Sequence, residues 1–462
     1  MAELRAVEVR IWNRFVGAVA PLRDKPGYYE FQYAPDFVRS GLELSPLKMP
    51  LAARRRYSFP TLPAESFYGL PGLLADALPD RFGNALITEY LARKGTRVED
   101  ITTLQRLVYI GRRAMGALEF EPALRDARSP AVVAPLQLSH LVEDARRALR
   151  GEFSKVAQDI IDVGSSAGGA RAKAVIGWNP STQEIVSGQF DLPDGFEHWL
   201  LKFDVGADGR LGSTAGFGRI EYAHYRMAIA AGIDMSECRL FEENGRAHFM
   251  TRRFDRRGNE KVHVHSLCGL QHLDFNSPYV HGYEQYLRTV LEMKLGAKAL
   301  EQAWLRCAFN IVAVNCDDHT KNLAFLMEPS GAWHLSLAFD MCFAHNPLPG
   351  KWTRQHQMLV GGKGWNITDG DLIALAKTFH VRRPHLLLER VIDAVNRWPQ
   401  YGREAGVPTP QIKTIASYHP EWVRSPRKLV AIAKRPSRAE KQPTRAPHAM
   451  KTAKTAPTRK RG

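Results

Sequence analysis

Ile311-Val312-Ala313-Val314-Asn315-Cys316-Asp317-Asp318-His319-Thr320-Lys321-Asn322 runs an apolar segment straight into a dense polar cluster. Such a cluster asks for a chemical reason. A hydroxyl that attacks a phosphate must be oriented and must lose its proton, and a carboxylate serves as base or positioner, the role assigned to Asp317. Phosphoryl transfer also gathers negative charge, which a cation such as Lys321 stabilises. Asn322 adds an amide oxygen, the ligand type Mg²⁺ prefers. Taken alone, DDHTKN also fits a solvated turn or a helix N-terminus, where Asp and Asn are favoured.

Working outward, a strand-like HLSLAFDM places Asp340 eighteen residues after Asn322, and the two can share one magnesium site. Upstream, Trp199-Leu200-Leu201-Lys202-Phe203 sets one lysine in an apolar strand. Burying that ammonium is costly without a partner, which a phosphate pair supplies; an edge strand with the lysine in water is the plainer alternative. Glu221, in the helical pattern RIEYAHYRMAIAAG, is placed to pair with Lys202. Before these, residues 164–173 (GSSAGGARAK) offer glycines for close approach to phosphates, with hydroxyls and cations beside them. They do not spell GxxxxGK[ST], which disfavours a P-loop NTPase. Neighbouring residues receive plainer readings: Asp318 as a supporting acid, His319 as a structural hydrogen-bonder, His263 and His265 as exposed positions on a strand, and Arg252 to Arg257 as a solvated turn after a strand.

The chain has 462 residues, 44% hydrophobic and 24% charged, a soluble, globular balance long enough for two or three domains. Of the net charge of +16, +12 falls between Arg424 and Gly462, where 13 Lys or Arg meet a single Glu. The body is only mildly basic, and the tail from about residue 434 has too few large apolar residues to order itself. Cys238, Cys268, Cys307, Cys316 and Cys342 form no CxxC pair, consistent with a reducing compartment. The start MAELRAVEVRIW has no apolar core of signal-peptide length, and no apolar run of about 18 residues occurs, so a cytoplasmic protein away from membranes is expected.

Residues 5–32 read as three short strands, the spacing from Leu70 to Lys94 is helical with Gly95 as a stop, and Arg125 to Pro135 reads as a linker before the helical LSHLVEDARRALRG. Long amphipathic helices follow from about Tyr283. The expected organisation is α+β: a small N-terminal α+β subdomain over 1–128, a core with a largely helical C-terminal part over 129–423, and a basic tail over 424–462.

The ordered set SSAGGARAK, WLLKF, RRFDR, NCDDHTKN and LAFDM, together with FQYAPDF, SPLKMPL and LLADALPDRFGN, resembles the HipA family of serine/threonine kinases over roughly residues 6–400. The resemblance implies a protein-kinase-like core that uses ATP and Mg²⁺. Position by position it implies Asp317 as catalytic aspartate, Asn322 and Asp340 as magnesium ligands and Lys202 on the nucleotide phosphates. The residues themselves add Lys321 at the catalytic centre, Glu221 as partner of Lys202 and Gly168 and Gly169 at the phosphates, while the family's Gly-rich loop and its stretch before Phe254 add Ser165, Ser166 and Phe254 around the nucleotide. It further implies autophosphorylation at Ser165 or Ser166 that switches the kinase off, a translation factor such as glutamyl-tRNA synthetase as protein substrate, and a small HipB-like DNA-binding antitoxin as partner. The chain departs from the family in carrying Arg252-Arg253 where an acidic residue is expected before Phe254. Two other readings stay open: a kinase-fold scaffold without turnover, and a nucleic-acid binder driven by the tail cations.

Overall fold

The computed structural model describes residues 4–52, 55–79, 81–122, 135–149, 152, 172–204, 216–243 and 245–424. They fall in one compact unit, Met1–Ser425; the second unit, Pro426–Gly462, lies outside them, as do Ser165, Ser166, Gly168, Gly169 and most of the expected linker.

The first sheet follows from alternation. β1 (Val7–Ile11) buries Val7, Val9 and Ile11, and Trp12-Asn13, both at positive φ, turn it into β2 (Arg14–Pro21). This is the hairpin geometry that matches strand twist. With β3 (Tyr29–Tyr33), β4 (Arg56–Tyr57) and β5 (Leu118–Glu121) the order is β4-β3-β2-β1-β5. Helices α1 (Pro35–Ser40), α2 (Ala64–Phe67), α3 (Gly72–Ala75), α4 (Arg81–Arg93) and α5 (Thr103–Ile110) complete this subdomain. The helical spacing from Leu70 to Lys94 is thus two helices, not one. Pro79 has no N–H to give and disfavours a helical residue before it, so the chain breaks between α3 and α4.

After α6 (Leu138–Leu149), a second five-stranded sheet holds β6 (Lys173–Trp178), β7 (Ile185–Ser187), β8 (Glu197–Lys202), β9 (Cys238–Glu243) and β10 (Arg246–Arg252) in the order β7-β6-β8-β10-β9. β8 is central, which excludes the edge-strand reading of Lys202. One apolar core runs from Val7, Phe31 and Phe120 into Ile176, Trp199 and Leu201. The helix α7 (Phe217–Ala230) packs on β10, with Gly218 so close to the Ala247 carbonyl that a Cβ there would overlap it.

The hairpin β11 (Arg256–Arg257) and β12 (Glu260–Lys261) leads to β13 (His263–Ser266) and α8 (Leu267–Gln271). β14 (His281–Gly282) precedes the helical part, α9 (Tyr283–Glu292) and the buried α10 (Gly296–Val312). β15 (Ala324–Met327) and β16 (Trp333–Leu335) join β13 in a small sheet, and β17 (Met358–Leu359) pairs in parallel with β14. Helices α11 (Asp369–Thr378), α12 (Pro384–Asn396), α13 (Trp398–Glu404), α14 (Thr409–Tyr418) and α15 (Glu421–Arg424) close the unit. Among the described residues no helix is long and apolar enough to cross a membrane, and all five cysteines are free and buried.

Two expectations fail here for one reason: the N-terminal subdomain covers them. His263 and His265 are buried, not exposed, because their strand packs under the Leu42–Ser45 segment; His263 Nε2 lies 3.2 Å from the Leu44 carbonyl and His265 Nε2 lies 3.2 Å from Ser45 Oγ. The Arg252–Arg257 run is solvated only at its ends, Arg252 and Arg257; its middle is interior. Arg253 and Arg256 donate to a fully buried Asp255, Arg256 also donates to the Gly116 and Ala114 carbonyls, and the Gly116 N–H donates to Asp255 at 2.7 Å. Burial opposes the charge on Asp255, yet the two guanidiniums hold its carboxyl well below the ordinary range. Asp255→Ala therefore leaves two buried cations without their counter-ion, and we expect a loss of about 3 to 5 kcal/mol in chemical denaturation.

Candidate active site

Lys202 ends the central strand β8 and is only 9% exposed. Its Nζ lies 2.5 Å from Glu221 Oε1 and also donates to Asp340 Oδ1. Glu221 reaches it because Gly218, three residues earlier, lets α7 press onto the sheet. Lys173 stands opposite Lys202 in the β6–β8 register and is buried as well.

Asp340 arrives differently from the expected strand. β16 ends at Leu335; Ser336 still gives its N–H to the Ala324 carbonyl at 3.0 Å while the Arg306 guanidinium donates to the Ser336 carbonyl at 2.5 Å, and beyond this point Ala338 makes an isolated bridge to Met235. Asp340 itself sits at φ +53, a conformation aspartate tolerates better than most residues. Asn315 Nδ2 holds its carbonyl at 3.1 Å. From there a buried chain of hydrogen bonds runs through the core. Asn315 donates to Asn310 Oδ1 (3.0 Å), Asn310 to the Tyr283 hydroxyl (2.9 Å), and Tyr283 to Asp318 Oδ2 (2.9 Å).

Asp317 and Asp318 are adjacent but have opposite environments. Asp318 is buried and fully engaged, accepting from Tyr283, from His356 Nδ1 at 3.1 Å and from the Gln357 N–H at 2.8 Å. Burial disfavours charge on His356, but the neighbouring Cys316 sulfur and the Asp318 carboxylate outweigh it and raise its pKa to about 10. The Asp317 side chain is 46% exposed and accepts one hydrogen bond, from Trp352 Nε1 at 2.8 Å. His319 is not the hydrogen-bonder expected. Its Nε2 lies 4.0 Å from Asp317, beyond bonding range, and its ring packs on Phe275.

Lys321, Asn322, Phe254 and Asp340 line one open cleft, with Met115, Leu200 and Phe339 among its apolar walls. Phe254 and Phe339 face each other with ring centres 5.5 Å apart. Lys321 Nζ sits 4.6 Å from the Phe275 ring centre, and Asn322 Nδ2 donates to the Asp317 carbonyl at 2.9 Å. Asp317 is next to this cleft rather than in its lining.

The sequence reading missed Asp76, which caps α3 in the N-terminal subdomain and lines the same cleft. It accepts from His265 Nδ1 at 2.6 Å and from the Ser266 N–H and Oγ at 2.8 and 2.7 Å. Burial raises its pKa, but His265 and the charge of Lys321 more than offset this, leaving the carboxyl below the ordinary range. An acid set between Ala75 and Ala77 in an apolar run was the available signal.

The HipA N-terminal domain family matches residues 7–121, and the HipA-like C-terminal domain family matches residues 165–400, more than half of the chain. This chain belongs to the HipA family. Its fold is similar to that of HipA from Shewanella oneidensis, solved with HipB and its operator DNA. The TM-score is 0.63 at 17% identity, covering 89% of this chain and 95% of that one. The Helicobacter pylori proinflammatory kinase CtkA matches at a TM-score of 0.35 and 12% identity, over 56% of this chain and 92% of that one, too distant to carry an argument. No curated protein matches the sequence. The architecture of this HipA-family chain is α+β, with a small N-terminal subdomain, a mixed core and a helical C-terminal part.

The Lys202–Glu221 pair is open to a test that needs no activity. Lys202→Met takes the ammonium away from a carboxylate that is 2% exposed, and we expect it to cost about 3 kcal/mol in urea unfolding. Adding Glu221→Leu to it should recover much of that loss; a double variant as unstable as the sum of the two singles would show no coupling.

Proposed function

We propose that this HipA-family chain is an ATP- and Mg²⁺-dependent serine/threonine protein kinase. The observation that carries the reading is that Asp340, which lines one cleft with Asn322 and Lys321, also accepts from Lys202, itself paired with Glu221, while an exposed Asp317 stands next to that cleft. The residues fit the nucleotide. Apolar walls at Met115, Leu200, Phe254 and Phe339 suit a flat base, the Lys202 ammonium suits phosphate oxygens, and Asn322 with Asp340 supplies the hard oxygen donors that Mg²⁺ takes. When bound, Mg²⁺ neutralises charge that develops on the phosphates. Asp317 positions the acceptor hydroxyl and takes its proton, whereas Asp318, with its oxygens already committed in the core, braces the segment. Lys321 contributes positive charge at the transfer site.

The same reading extends to partners. The protein substrate is a translation factor of the glutamyl-tRNA synthetase kind, as the family resemblance implies, and the chain is cytoplasmic. A HipB-like antitoxin is the regulatory partner; that component accompanies the Shewanella oneidensis protein together with DNA. DNA is reached through the antitoxin or through the 13 cations of the tail.

Asp317→Asn should lower transfer of label from radioactive ATP by about 100-fold or more, with ATP binding and melting temperature kept. Turnover equal to the wild type would remove Asp317 from the mechanism. The same reading includes autophosphorylation at Ser165 or Ser166, as the family resemblance implies. Added charge of about −1.5 to −2 beside nucleotide phosphates is repelled, so ATP affinity should fall as the modification accumulates. Mass spectrometry after long incubation with Mg·ATP should find phosphate within residues 164–173 in the wild type and none in Asp317→Asn. Phosphate only elsewhere would refute the switch.

A further inference from the structure

Asp317 and Asp318 are both held by one loop, 346–357. At its far end Gln357 gives its backbone N–H to Asp318 Oδ1 at 2.8 Å and its side-chain Nε2 to the Trp352 carbonyl at 2.5 Å. At its tip the Trp352 indole gives its Nε1–H to Asp317 Oδ1 at 2.8 Å. Asp318, Gln357, Trp352 and Asp317 therefore form a closed ring, anchored in the core where Tyr283 and His356 bind Asp318. Local hydrogen bonds stiffen the tip: Asn346 to the Thr353 carbonyl, Lys351 to the Leu348 carbonyl, Arg354 to the Lys351 carbonyl, and the Tyr279 hydroxyl to the Trp352 carbonyl.

The chemistry of the indole matters here. It is a donor only, so it can hold an ionised carboxylate but cannot compete with it for a proton. An exposed carboxylate otherwise turns freely and spends both oxygens on water. We propose that Trp352 is a positioning residue for phosphoryl transfer, fixing one oxygen of Asp317 so that the other faces the acceptor hydroxyl. In that step the acceptor proton passes to the free Asp317 oxygen while the hydroxyl oxygen bonds to the γ-phosphorus. The bond from that phosphorus to the bridging oxygen breaks, and its electron pair leaves on ADP. This inference rests on the role given to Asp317 above.

The test compares four full-length proteins: wild type, Asp317→Asn, Trp352→Phe and Trp352→His. The rate at which label leaves Mg·[γ-³²P]ATP, to protein or to water, is followed over a range of Mg·ATP concentrations. Trp352→Phe keeps the ring and loses the donor, and kcat should fall roughly 10- to 100-fold while KM for Mg·ATP stays within about twofold. Trp352→His restores a ring N–H and should recover part of the loss. If Asp317→Asn is inactive while Trp352→Phe matches the wild type in kcat, the positioning role is wrong and the catalytic role of Asp317 stands. Equal loss in both Trp352 variants, with KM and melting temperature changed as well, makes Trp352 a packing residue and overturns the proposal. Turnover by Asp317→Asn at the wild-type rate, or none by any protein, defeats the reading of Asp317 and this inference with it.

Discussion

An ammonium at the end of a central strand is the constraint around which the second half of the molecule is arranged. Lys202 is held out of water, 9% exposed, with Glu221 of α7 and Asp340 closing over its ammonium. Its charge must be met where it is. That requirement fixes α7 against the sheet through Gly218, so that Glu221 can reach, and it fixes the descent of the chain after β16, so that Asp340 can reach. Three distant segments are thereby brought to one point by a single charge.

The second requirement is that the polar residues serving this point be held without water. Asn315, Asn310 and Tyr283 do this as a relay from the Asp340 carbonyl to the Asp318 carboxylate. A buried relay is favourable only when each member is satisfied, and then it specifies one arrangement. The cost shows in the backbone: Val314, a β-branched residue, sits at φ +57, and Asp340 at φ +53. Such conformations persist where the surroundings over-determine them. Here the Ala344 N–H binds the Val314 carbonyl at 3.1 Å and the Cys316 N–H binds the Ala344 carbonyl at 2.8 Å, clamping the turn from the opposite strand of chain.

What the sequence disclosed and what it hid divide along a physical line. Asp317, Lys321 and Asn322 stand within six residues, and Lys202 and Glu221 each sit in a local pattern with a clear period, so composition and spacing single them out as candidates. The α+β organisation was visible for the same reason, since strand alternation and helix spacing are local properties. The break at Pro79 was equally local, and an apolar period carried across a proline obscured it. Asp76 with His265 and Ser266 was hidden otherwise, because the partners lie about 190 residues apart and each looks ordinary at home. The Arg253–Asp255–Arg256 cluster was misread as solvated because a charged run normally is. Only the Ala114 and Gly116 carbonyls, about 140 residues earlier in the chain, make it an interior group.

These hidden contacts share one feature: each joins the N-terminal subdomain to the core. Trp12 donates to the Lys261 carbonyl, Trp333 to the Glu43 carbonyl, and Lys261 to Glu119, while Asp76 and Met115 enter the cleft itself. The subdomain therefore supplies walls and charge to the site rather than hanging beside it. Asp76 places a carboxylate near Lys321, and its oxygens are already held by His265 and Ser266. An anion so fully committed is poorly placed to serve as a metal ligand. Its charge instead lies near Lys321, and it comes from α3 of the N-terminal subdomain. Separating the two subdomains would expose Asp255 and Asp76 partners that have no reason to remain in place, so the cleft and the N-terminal sheet belong to one folding problem.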